Sequence, residues 1–217
     1  MTKSHQAIIF DMDGVIVDSE PLHERAFREV LHEIGFGDSH GIDFPAYYGK
    51  SDRVVWRDFI QRHRPPQALE ELLARKEEKF ADLVRREEPI FDGLPELLEK
   101  AAAKHPLALA SGSRHPTIDA VLALGNLRRF FRAIVSSEDV PHGKPAPDIF
   151  LRAAGLLGVP PWSCCVIEDS AAGVEGALAA GMTVIAITNS LPPEQLARAT
   201  LVVRTYHEIE QWLLGAP

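Results

Sequence analysis

Six short apolar runs punctuate the chain: Ala7-Ile8-Ile9-Phe10, Leu107-Ala108-Leu109-Ala110, Ala133-Ile134-Val135, Cys164-Cys165-Val166-Ile167, Thr183-Val184-Ile185-Ala186-Ile187 and Leu201-Val202-Val203. None alternates polar with apolar, which fits strands covered on both faces. Between them the apolar spacing lengthens to that of helices, over residues 94–104, 117–124, 146–157 and 170–180. Ser170 is a candidate N-cap, and Gly125, Gly158 and Gly181 stand where three of these helices should stop. From residue 106 onward the order is strand, helix, strand, helix. That order implies a Rossmann-like α/β fold, a parallel sheet with helices on both faces.

Residues 21–88 interrupt the alternation. They hold no convincing strand, but helical patterns run over 22–34, 53–62 and 69–86. The first strand is therefore expected to leave the sheet, pass through a small all-helical insertion and return near Phe91-Asp92-Gly93. The expected division is an α/β core of residues 1–18 and 90–217, with residues 19–89 inserted after the first strand. The charged run from Arg75 to Lys79 reads as a solvated helix face.

Composition narrows the function classes. With 217 residues, 46% hydrophobic and 25% charged, the chain matches an ordinary globular protein large enough to bury its own core. A net charge of −8 argues against nucleic-acid and anionic-membrane partners. No apolar stretch is long enough to span a bilayer, and Met1–Gln6 does not resemble a leader. Cys164 and Cys165 are adjacent, so on a strand they face opposite ways and suit neither a disulfide nor zinc. A reducing, cytoplasmic setting is expected. An anionic substrate would then need local positive charge, from a metal or a few placed cations.

In open α/β sheets ligands gather beyond the carboxyl ends of the strands. Polar clusters follow four of the six runs. Asp11-Met12-Asp13-Gly14 offers two carboxylates across a tight turn: one suits a covalent nucleophile, the other an acid/base. Acidic turn residues would look the same. Ser111-Gly112-Ser113 has a hydroxyl and backbone N–H groups suited to phosphate, and is also an ordinary loop. Gly143-Lys144-Pro145 holds a lysine as an oriented point charge. It is no P-loop, since Glu138 and Pro145 stand where Gly and Ser/Thr are required. Glu168-Asp169-Ser170 suits a hard cation or, equally, a helix cap. Each cluster alone is ambiguous. Their joint occurrence at strand ends is the signal.

Taken together and in this order, Asp11-Met12-Asp13-Gly14-Val15, Ser111, Lys144-Pro145-Ala146-Pro147-Asp148 and Glu168-Asp169-Ser170-Ala171-Ala172-Gly173 resemble the haloacid dehalogenase superfamily, in its branch of β-phosphoglucomutase and sugar-phosphate phosphatases. The resemblance spans nearly the whole chain. It implies a Mg²⁺-dependent phosphatase in which Asp11 forms an aspartyl-phosphate and Asp13 is the acid/base. It implies that Ser111 binds phosphoryl oxygens and that Lys144 offsets charge. Asp11, Asp13 (through its carbonyl) and Asp169 would hold the metal, with Glu168 either a further ligand or a partner of the ligands. The insertion would be a helical cap, with His23, Lys50, Ser51 and Arg53 facing substrate. Gly112 and Ser113 would complete the phosphate loop, and Arg114 beside it reads equally as a substrate contact or as a solvated loop arginine. A small phosphorylated metabolite is the expected partner, with no particular oligomer implied.

Three other activities compete. The dehalogenase branch typically lacks the second aspartate, which is present here as Asp13. A phosphosugar mutase shares the core motifs, but its cap carries a basic residue before a glycine and an arginine for the sugar's second phosphate. Tyr48 and Asp52 occupy those positions, which favours hydrolysis of a monophosphate. An inactive regulatory protein of the same fold is the third reading. The presence of every expected catalytic residue speaks against it.

Overall fold

The structure, a computed structural model, describes residues 5–47 and 51–215. Its residues fall into two compact units, Met1–Asp18 with Ile90–Pro217, and Ser19–Pro89.

The first unit is a parallel six-stranded sheet in the order β3-β2-β1-β4-β5-β6. The strands are β1 (Ala7–Phe10), β2 (Leu107–Ala110), β3 (Phe131–Val135), β4 (Cys164–Glu168), β5 (Thr183–Ile187) and β6 (Leu201–Val203). The first unit's helices are α4 (Leu94–Ala102), α5 (His115–Ala123), α6 (Asp148–Leu157), α7 (Ala171–Ala179) and α8 (Tyr206–Leu214). The helices of the second unit are α1 (Glu20–Glu33), α2 (Asp52–His63) and α3 (Leu69–Glu87).

Both sheet faces are buried, which explains the unbroken apolar runs. Ala7, Ile9, Cys164 and Val166 pack with Ile149, Phe150 and Ala153 of α6 and Val174 and Ala177 of α7. Ile8, Phe10, Cys165 and Ile167 are fully buried as well and, by alternation, face the other way. The two cysteines are therefore free thiols on opposite faces of β4. Arg132 is exposed on edge strand β3 and splits its apolar pattern, so the strand begins two residues before the run that marks it.

Local chemistry sets the helix ends. Ser170 Oγ accepts the Gly173 N–H at 3.0 Å and caps α7. Gly158 closes α6 with φ of 69°. The last helix, α8, was not anticipated, although Thr205 and Glu208 form a reciprocal capping box at its start. Where the chain departs from and rejoins the sheet unit, Val17 and Ile90 form an antiparallel bridge, and the Phe91 N–H donates to the Ile16 carbonyl at 3.3 Å.

The second unit is a helical cluster around Phe27, Val30, Leu31, Phe44, Trp56, Phe59 and Leu72. It corrects one expectation. Lys76, inside the run taken as a solvated face, is 1% exposed. Its ammonium meets Asp52 Oδ2 at 2.8 Å and His23 Nδ1, and lies over the rings of Phe27 and Phe80. A buried ammonium needs such partners, and the two aromatic faces add cation–π attraction. Among the described residues, no helix is long and apolar enough to cross a membrane.

Candidate active site

Strand order explains the meeting of the motifs. β1 lies between β2 and β4, and the chain direction across the sheet reverses at the β1/β4 boundary. Ligands bind at such switch points. Phe10 pairs with Leu109 on one side and Ile167 on the other, so Asp11 emerges beside the ends of both neighbours. The Asp11 N–H is fixed to the Ile167 carbonyl at 3.0 Å.

Carboxylate oxygens of Asp11, Glu168 and Asp169 lie within 4.8 Å of one another, and all three residues are buried. Lys144 donates to Asp11 Oδ1 at 2.5 Å and to Glu168 Oε1 at 2.6 Å. The other Glu168 oxygen accepts the N–H groups of Asp169 and Ser170 and the Ser170 hydroxyl, each at 2.9 Å. Glu168 is thus held on both oxygens. Asp169 Oδ2 accepts the hydroxyl of Ser190.

Charge in this pocket is unbalanced, with three buried carboxylates facing one ammonium. Burial, opposed by Lys144 and reinforced by Glu168 and Asp13, pushes the Asp11 carboxyl up to about 7. Burial and the neighbouring Glu168 and Asp11 hold Asp169 well above the ordinary carboxylate range. For Lys144 burial works against the charged form, but Asp11 and Glu168 outweigh it and raise its pKa. An oxygen-rich, net negative donor set of this kind fits a hard divalent cation, which would relieve the excess charge. Asp11 and Asp169, with Asp13 and Glu168 beside them, are the residues that would hold it.

The phosphate-loop candidates gather here as well. Ser111 is fully buried, and its Oγ accepts the Ser113 N–H at 3.0 Å. Ser113 Oγ donates to Asp13 Oδ2 at 2.8 Å. A Cβ built on Gly112 would meet nothing within 4 Å beyond its chain neighbours. Gly14 turns the chain with φ of +75°, and its N–H donates to the Val17 carbonyl at 2.9 Å. A Cβ on Gly14 would sit 1.8 Å from Asp169 Oδ2, so only glycine lets the two segments touch.

Other candidates have different surroundings. Arg114 is drawn to Glu138 at 3.0 Å, and Glu138 also accepts the His115 N–H at the start of α5. That makes Arg114 a clamp on its own helix. Arg53 pairs with Glu70 at 2.7 Å on the surface of the helical unit. Ser51 precedes α2 without a side-chain capping bond. His23 stacks on Phe80 with ring centroids 4.1 Å apart. Lys50 lies outside the described residues.

Three contributors escaped the motif search: Asn189, Ser190 and Tyr206. Asn189 Nδ2 donates to the Gly14 carbonyl at 2.8 Å and to Tyr206 Oη at 3.0 Å. The Tyr206 hydroxyl donates to the Val15 carbonyl at 2.8 Å. The strand-end criterion would have found the first two, because Thr188-Asn189-Ser190 directly follows β5.

A family model described as haloacid dehalogenase-like hydrolase matches residues 5–181, a span that includes all four motifs. The chain belongs to the haloacid dehalogenase-like hydrolases. Among relatives of this hydrolase, fructose-1-phosphate phosphatase YqaB of Escherichia coli (strain K12) is 35% identical over 191 residues, covering 85% of this chain and 97% of the relative. Hexitol phosphatase B of the same strain is 33% identical over 183 residues, covering 83% of this chain and 82% of the relative. In three dimensions the hydrolase is similar to a β-phosphoglucomutase from Clostridium difficile, with a TM-score of 0.77 and 27% identity over 97% of both chains.

Proposed function

We propose that this hydrolase is a Mg²⁺-dependent phosphatase of small phosphate monoesters, of the sugar-phosphate type, acting through an aspartyl-phosphate on Asp11. The observation that carries the reading is the convergence of the Asp11, Glu168 and Asp169 carboxylates around Lys144. The phosphatase names of the two E. coli relatives support it.

Asp11 attacks phosphorus. A bond forms from a carboxylate oxygen to phosphorus while the ester P–O bond breaks. Asp13 protonates the departing oxygen, then removes a proton from the water that opens the aspartyl-phosphate. Ser111 and the N–H groups of its loop bind the transferring oxygens. Lys144 supplies fixed positive charge beside Asp11. Bound Mg²⁺ would add the positive charge that lets a carboxylate meet an anionic phosphoryl group. Selectivity among leaving groups is assigned to the helical insertion, residues 19–89.

A panel of phosphorylated sugars and polyols, assayed for phosphate release with Mg²⁺ and with EDTA, tests the proposal. Release is expected only with the metal, and is expected to vanish in Asp11→Asn. Isomerisation of β-glucose 1-phosphate outpacing phosphate release would overturn it in favour of a mutase.

A further inference from the structure

We infer that the turn after β5 is a positioning element of the metal centre, with Ser190 orienting Asp169 and Asn189 anchoring the Asp11–Gly14 loop. The inference rests on the Mg²⁺ reading above and extends it to residues outside the four motifs.

Ser190 comes from a separate strand end and bonds the Asp169 oxygen Oδ2. A hydroxyl has one proton to give, and donating it to Oδ2 ties that oxygen in place. A carboxylate tied at one oxygen is oriented to offer the other, and Mg²⁺ is intolerant of misplaced ligands because it demands near-ideal octahedral geometry. A Cβ at Gly14 would approach Ser190 Oγ to 2.6 Å as well as Asp169. Three chain segments thus meet at one carboxylate. The adjacent Asn189 performs the complementary task on the backbone. Its amide holds the Gly14 carbonyl, one residue after Asp13, and is itself braced by Tyr206 of α8. Hydrogen bonds that orient metal ligands typically affect affinity by about 10–100-fold.

The test is calorimetric titration of Mg²⁺ into the metal-stripped full chain, for wild type, Ser190→Ala and Ser190→Thr. Thermal unfolding in EDTA serves as the fold control. Ser190→Ala is expected to weaken Mg²⁺ binding about tenfold or more while unfolding near the wild-type temperature in EDTA. Ser190→Thr keeps the hydroxyl and is expected to recover most of the affinity. Asn189→Ala should weaken binding in the same direction. In p-nitrophenyl phosphate turnover, Ser190→Ala should need more Mg²⁺ for half-maximal rate yet approach the wild-type kcat at saturation. Ser190→Ala binding Mg²⁺ within twofold of wild type overturns the inference and leaves the phosphatase reading standing. A wild-type chain that takes up no Mg²⁺ removes the metal reading, and this inference with it.

Discussion

Replacing Asp11 with Asn should kill turnover and, in the absence of metal, make the protein more stable at alkaline pH. The Asp11 carboxyl is raised from 3.8 to about 7, mainly by burial. At about 1.4 kcal/mol per tenfold change in the ionisation constant, ionising it inside the fold costs about 4 kcal/mol. The sign follows from proton counting. Below about pH 4 both folded and unfolded chains hold the proton. Between about 4 and 7 only the folded chain does, so stability from this group falls as pH rises, and the loss is complete above 7. Asparagine has no such titration and keeps an oxygen for Lys144. In EDTA, urea unfolding at pH 8 should therefore favour Asp11→Asn by up to about 4 kcal/mol, with the gap closing towards pH 4. Mg²⁺ should narrow the gap at pH 8 by stabilising wild type, and should do less at pH 5, where protons compete for the same carboxylates. Stability curves that run parallel for the two proteins from pH 4 to 8 would refute the claim that burial strains Asp11.

Other substitutions probe separate contacts. Lys144→Met leaves Asp11 and Glu168 buried without their cation; unfolding at pH 8 should show a loss of about 3–5 kcal/mol, smaller at pH 5 where the carboxylates take up protons, with turnover reduced at least about 100-fold. Gly173→Ala places a Cβ 1.7 Å from Glu168 Oε1, and thermal unfolding should report a loss of about 1–3 kcal/mol as that side chain is displaced. Thr205→Ala removes the capping box of α8 and should cost about 1 kcal/mol with kcat unchanged.

Most of the fold was legible because its strands are buried on both faces, and a run such as Ala7-Ile8-Ile9-Phe10 has no other economical explanation. The limits of that signal are physical too. An exposed Arg132 on edge strand β3 hid the strand's first two residues. The reading of Arg75–Lys79 as a solvated face weighed charge above position. Lys76 falls on the same helical stripe as Leu72, Leu73, Phe80 and Leu83, and that stripe is buried. At the site, the motif carboxylates, Lys144 and Ser111 were legible because strand ends concentrate chemistry. Ser190 and Asn189 also follow a strand end, β5, and lie within reach of the same criterion, but a hydroxyl and an amide there look like any turn until the carboxylate and carbonyl they grip are known. The engagement of Arg114 with Glu138 was equally invisible, because the two are joined only by the packing of β3 beside β2.

The Val17–Ile90 bridge has a consequence for engineering and descent. It brings the two severed ends of the sheet unit together, beside the Phe91–Ile16 hydrogen bond. Residues 19–89 are the segment inserted between those two ends. A different insert, or a short linker, between the same two ends is expected to leave the strand register intact, because that register is set by the strands' own pairing. On the proposed division of labour, recognition could then diversify while the phosphorus chemistry stayed untouched.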